Sequence, residues 1–113
     1  MNLFDPPDEP HDEEMFEPLA LGAGVLVERI VSTGQSTPAG EWLESERDEW
    51  VAVLQGDAEL AFADGSRTTL SPGDHVLVPA GIRHRVERTS ADPPCIWLAV
   101  HARGLAGPEA SSA

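Results

Sequence analysis

Short runs in which apolar and polar positions alternate, broken at regular intervals by turn residues, fill the middle of this chain. Val25 to Val31, Glu49 to Leu54, Ala58 to Ala63, Arg67 to Leu70, His75 to Val78, His84 to Arg88 and Ile96 to Val100 are β-branched or alternating segments of strand length. Gln55-Gly56-Asp57 and Ala63-Asp64-Gly65-Ser66 predict hairpin turns, the second with Asp64 and Gly65 both in left-handed conformations. Ser71-Pro72-Gly73-Asp74 and Pro79-Ala80-Gly81 predict two further turns, because proline presets its own φ and glycine accepts a positive one. No stretch carries the i, i+3, i+4, i+7 apolar pattern of a long helix. The chain therefore predicts an all-β sandwich or barrel.

The segment from Gly73 to His84 has a distinctive spacing: Gly73, five residues, Pro79, one residue, Gly81, two residues, His84. This resembles the second conserved motif of the cupin superfamily. The family pattern ends with Asn four residues after the histidine, where this chain has Arg88. The second half of the first cupin motif is present from Glu49 to Gly56, but the two histidine positions of its first half fall on Trp42 and Glu44. Its leading glycine falls on Ser36, or on Gly34 for a different loop length. The resemblance spans roughly Val25 to Val100 and implies a small double-sheet jelly-roll β-barrel.

Composition narrows the picture. A chain of 113 residues makes one domain with little core to spare. Three segments are expected: an acidic, proline-rich N-terminal arm over 1–20, a barrel domain over 21–103 and a disordered tail over 104–113. Seven of the twenty carboxylates lie between Asp5 and Glu17, in a segment with three prolines and no cation. That arm is either solvated or packed on a partner subunit. A net charge of −13 argues against nucleic acid and anionic membranes as partners. Cys95 is the only cysteine, so no internal disulfide forms, and no apolar run is of membrane-span length. With no signal-peptide pattern at the start, a cytoplasmic protein is expected. Dimerisation, common among cupins through the outer sheet, would add apolar burial; Trp50, Trp97 and Ile96 are candidates for that surface, with one tryptophan facing inward as the alternative. The chain has no lysine and no tyrosine, which excludes Schiff-base catalysis and a phenolic general acid.

Metal-binding cupins hold a divalent ion with three histidines and a glutamate, and here the resemblance supplies only His84 and Glu49 at the matching places. Side chains alternate along a strand, so Trp42 and Glu44 share a direction and Glu44 can stand in for a missing histidine; the alternative is that it faces water in the acidic loop from Glu44 to Asp48. His101 shares a face of the last strand with Trp97 and Ala99, and becomes a further ligand if that face looks inward. The candidate metal set is thus His84, Glu49, Glu44 and His101, for Mn, Fe, Ni or Zn. Without metal, His84 and Glu49 serve as catalytic acid and base. Trp42 and Arg88 are the candidate substrate-binding residues, Arg88 because it is in phase with His84 and its planar guanidinium suits a carboxylate or phosphate. His75 is out of phase, His11 lies in the arm, and no serine or cysteine has the setting of an activated nucleophile. Two functions are consistent with these residues. One is a small cupin enzyme binding a polar small molecule, with lyase, isomerase or dioxygenase chemistry. The other is a non-catalytic ligand sensor acting through its dimer surface.

Overall fold

The computed structural model describes residues 1–6 and 12–108. All seven predicted strands form, and an eighth precedes them. In chain order they are β1 (Met15–Gly22), β2 (Val25–Ser32), β3 (Asp48–Gln55), β4 (Ala58–Phe62), β5 (Arg67–Leu70), β6 (His75–Val78), β7 (His84–Thr89) and β8 (Cys95–Ala102). They make two antiparallel sheets, one of five strands in the order β1-β2-β8-β3-β6 and one of three in the order β5-β4-β7. The core lies between them and draws on both: Val51, Val53, Cys95, Trp97 and Ala99 from the larger sheet meet Ala58, Leu60 and Leu70 from the smaller.

Strand β1 corrects the expected arm boundary. Residues 1–20 read as an extension because the carboxylates and three prolines between Asp5 and Glu17 make an acidic, proline-rich segment, yet Met15 to Gly22 pairs with β2 along its length. The strand lies at the sheet edge and carries a bulge between Pro18 and Ala20, the setting in which proline is tolerated because no neighbour needs its missing N–H. Ahead of it, the buried Arg29 guanidinium donates to the Leu3 and Asp5 carbonyls at 3.1 and 2.6 Å and pairs with Glu17 at 2.7 Å. His11, assigned to the arm, lies outside the described residues. At the other end Leu105 N–H donates to Asp48 at 2.9 Å, so the segment after Gly104 starts fastened to the sheet.

The Asp64-Gly65 hairpin is also built differently from expectation. Gly65 alone has positive φ, at 93°; Gly65 N–H bonds back to Phe62 O and Phe62 N–H to Ser66 O, both at 2.9 Å. This is a three-residue loop closed by a left-handed glycine, which asks nothing unusual of Asp64. The Asp64 carboxylate instead accepts from the Ser66 hydroxyl and N–H, which holds it below the ordinary carboxylate range.

Strand alternation sorts the larger sheet into two faces. Glu28, Ile30 and Ser32 of β2, Glu49, Val51 and Val53 of β3, and Trp97, Ala99 and His101 of β8 point between the sheets. Trp97 is therefore the inward tryptophan, 4% exposed, while Trp50 lies on the outer face, where its ring is 5.5 Å from that of His75. Ile96 also points outward but is fully buried.

Candidate functional site

His84 opens β7 directly after the Pro79-Ala80-Gly81 corner. Asp48 holds that corner, its carboxylate accepting from Ala80 N–H at 2.8 Å as well as from Leu105, and these backbone bonds keep its carboxyl below the ordinary range. The His84 backbone is fixed by a two-way bridge to Leu43, with N···O distances of 2.6 and 3.0 Å. Its ring is buried, 6.3 Å from that of Phe62, and Nδ1 is 2.9 Å from Ile82 O. Since a carbonyl can only accept, Nδ1 carries the proton and Nε2 of the neutral ring is left as a lone pair. That lone pair faces Glu49 Oε1 at 4.0 Å.

Glu49 and His101 are cross-strand partners on β3 and β8, so their side chains leave the same face of adjacent strands. His101 Nδ1 is 3.2 Å from Glu49 Oε2, and its Nε2 is 3.1 Å from Glu28 Oε1. Both ring nitrogens thus face carboxylates, and only the doubly protonated ring can donate to both at once. The result is a line of groups, Glu28, His101, Glu49 and His84, running from β2 across β8 and β3 to β7. Behind it Trp97 Nε1 donates to Ser32 Oγ at 3.1 Å, and Ser32 Oγ donates to Glu14 Oε2 at 2.8 Å.

These groups border a cavity of about 140 Å³ between the sheets, completed by Phe16, Ile30, Leu43, Val51, Leu60 and Val86. At roughly 30 Å³ per water, this is room for four or five waters or a small organic molecule. A second hollow of about 190 Å³ adjoins it, since Leu43, Glu49 and His84 line both. Glu44, Ser45, Arg47, Val78 and Pro79 form the rest of this outer hollow, the mouth.

Three of the expected site residues, His84, Glu49 and His101, come together; the others do not join them. Pairing of Leu43 with His84 gives Leu43 the inward phase, which turns Trp42 away. Trp42 lies outside the smaller sheet, with the Arg83 guanidinium 5.9 Å from its ring centroid. Glu44 is exposed at the rim of the mouth. Arg88 is turned out by a bulge: Leu60 pairs with Val86 but the next residue along, Glu59, pairs with Arg88, so Glu87 is the extra residue and the phase inverts. Arg88 ends 3.3 Å from Asp57 on the surface.

The donor set does not compose the expected metal centre. Among the described residues, no group of three or more His, Cys, Asp or Glu side chains converges as ligands of one ion. The geometry gives the reason: Glu44 stays at the rim, and both His101 nitrogens are engaged by carboxylates. Glu28 and Glu14 were missed in the sequence. Glu28 had one weak signal, an acid in phase with Leu26 and Ile30 in a largely apolar strand, and Glu14, ahead of β1, had none.

Residues 29–101 match the family model of the cupin domain. No curated protein matches the sequence. Among solved structures, a candidate mannose-6-phosphate isomerase from Ralstonia eutropha JMP134 is 42% identical, with a TM-score of 0.86 over 92% of this chain and 97% of that one. A cupin superfamily protein from Desulfitobacterium hafniense DCB-2 is 22% identical, with a TM-score of 0.71 over 85% of this chain and 83% of that one. An RmlC-like cupin from Desulfovibrio desulfuricans is 17% identical, with a TM-score of 0.72 over 90% and 93% of the two chains.

Proposed function

The chain belongs to the cupin domain family, and from that premise we propose that it binds a small polar molecule between its two sheets and moves a proton on it, in isomerase or lyase fashion. The observation that carries this reading is the His84 ring, which lines an otherwise largely apolar cavity whose other polar groups are Glu14, Glu28, Glu49 and His101, and whose Nε2 is the nitrogen left free by the Nδ1 contact to Ile82 O. A base needs a fixed tautomer and an orienting partner. Ile82 O supplies the first, and the bridge to Leu43 fixes the backbone that carries the ring. His101 sits between Glu28 and Glu49 and holds Glu49 in place to meet a hydroxyl or carbonyl of the bound molecule. The isomerase name borne by the 42% identical relative is consistent with proton transfer between neighbouring carbons. Cupins often bind divalent metals, but these donors do not fit such an ion and no step is routed through one.

A second copy of the chain on the outer face of the five-stranded sheet completes the proposed particle. Val27, Val100, Trp50 and Leu77 stand in register there across β2, β8, β3 and β6.

The test is binding and exchange with small polyols. Glycerol and dihydroxyacetone are titrated into wild type, His84→Ala and Glu49→Gln while amide and histidine signals are followed by NMR, and dihydroxyacetone is incubated in D2O to detect carbon-bound deuterium. Saturable shifts at His84 with deuterium uptake lost in His84→Ala support the reading. Folded wild type that binds neither probe overturns it.

A further inference from the structure

The mouth holds a cation that the chemistry above does not use. The chain has seven arginines, no lysine and twenty carboxylates, so any guanidinium has abundant acids to pair with. Five arginines do pair, with Glu17, Glu59, Glu87, Asp57 and Glu46, and Arg83 lies against Trp42. Arg47 is the exception among the described residues. Its backbone N–H donates to Ser45 Oγ at 3.1 Å, while its side chain has neither ion pair nor ring partner there. It is nonetheless half-buried and lines the mouth beside Glu49 and His84.

A guanidinium that loses part of its hydration without gaining a carboxylate keeps its donors available, and its planar fork matches a two-oxygen acceptor. The surroundings then select the charge of that acceptor. Glu44 and Glu49 line the same hollow, so one guanidinium shares it with two carboxylates. A phosphomonoester brings about −1.5 to −2 charges and is repelled there more strongly than a carboxylate with one. Leu43, Glu49 and His84 line the mouth as well as the inner cavity, so a molecule held at Arg47 by one end lies in the same hollow as the His84 ring.

We propose that Arg47 binds the carboxylate of a small hydroxy acid whose hydroxyl-bearing carbon reaches His84 and Glu49. This rests on the reading of the cavity given above and adds its substrate class.

A matched series tests it: glycerol, glycerate and glycerol 3-phosphate, which share a skeleton and differ in the charged end. Dissociation constants are measured by NMR titration for wild type, Arg47→Gln, Arg47→Lys, His84→Ala and Arg88→Gln, the last removing one positive charge on the far surface. The expected result is that wild type prefers glycerate to both others. Arg47→Gln then weakens glycerate by about tenfold or more and leaves glycerol within about twofold. Arg47→Lys recovers part of the loss, and Arg88→Gln matches wild type. If glycerol binds through His84 but glycerate binds no better, or Arg47→Gln leaves glycerate unchanged, the Arg47 proposal is overturned while the cavity reading stands. Tighter, Arg47-dependent binding of glycerol 3-phosphate overturns the carboxylate class. A wild type that binds none of the three overturns both.

Discussion

Cys95 is fully buried in the core, and burial first, then the nearby Asp57 and Glu14 charges, pushes its thiol from the ordinary 9.0 up to about 12. Above pH 9 the unfolded chain therefore binds fewer protons than the folded one, and stability falls as pH rises from about 9 to about 12. Because the sequence has neither lysine nor tyrosine, no other side chain of ordinary alkaline range contributes to that limb. Unfolding free energies from urea titrations between pH 8.5 and 11 are expected to decline with a slope approaching about 1.4 kcal/mol per pH unit, and Cys95→Ala is expected to flatten the slope whatever it does to absolute stability. A second residue acts by having no side chain. A Cβ on Gly56 would stand 2.3 Å from Ser90 Oγ and 3.0 Å from both Cys95 Cα and Pro94 O, at a φ of +76°. Gly56→Ala should cost about 2–5 kcal/mol, read by chemical denaturation, whereas Gly65→Ala meets no neighbour and carries only the φ penalty.

The seven strands with clear alternation and flanking turns were legible in the sequence, and the Gly73-to-His84 spacing located the cavity-lining imidazole and its corner. Strand β1 was not, because pairing along a sheet edge is a tertiary reward that local composition does not advertise, and the acidic, proline-rich composition from Asp5 to Glu17 argued for a solvated arm. Arg88 illustrates a different loss. Its inward placement was a count of pleats from His84, and a single bulged residue between them reverses any such count. Trp42 and Glu44 went the same way, since the loop carrying them takes its phase from the bridge between Leu43 and His84, sequence-distant and invisible in a single chain. The β1–β2 pair also explains Arg29, buried at 3% exposure and anchored by Glu17 and two carbonyls. Arg29→Ala strands Glu17 and releases residues 3–5; a destabilisation of about 2–4 kcal/mol is expected, together with faster proteolytic clipping ahead of β1.

At the scale of the whole molecule the two faces of the larger sheet divide the work. Its inner face gathers the titratable groups, and its outer face carries the apolar row through Val27, Val100, Trp50 and Leu77. Beside that row a groove of about 840 Å³ runs between the sheet and residues 105–108. If a second copy covers this face, light scattering coupled to size exclusion returns twice the chain mass for wild type, and Trp50→Glu returns a monomer that keeps its far-UV circular dichroism. A wild-type monomer at high protein concentration would remove the dimer from the proposal without touching the cavity between the sheets. A net charge of −13 adds a condition to the measurement: repulsion between copies weakens as salt rises, so the dimer fraction should grow with ionic strength.

One carboxylate joins the corner before His84 to the start of the chain's last stretch, through Ala80 on one oxygen and Leu105 on the other. A group fused just behind Leu105 is therefore linked through Asp48 to the corner that precedes His84. A dye attached there is expected to report any displacement of that corner, and an affinity tag placed there adds its own load to it.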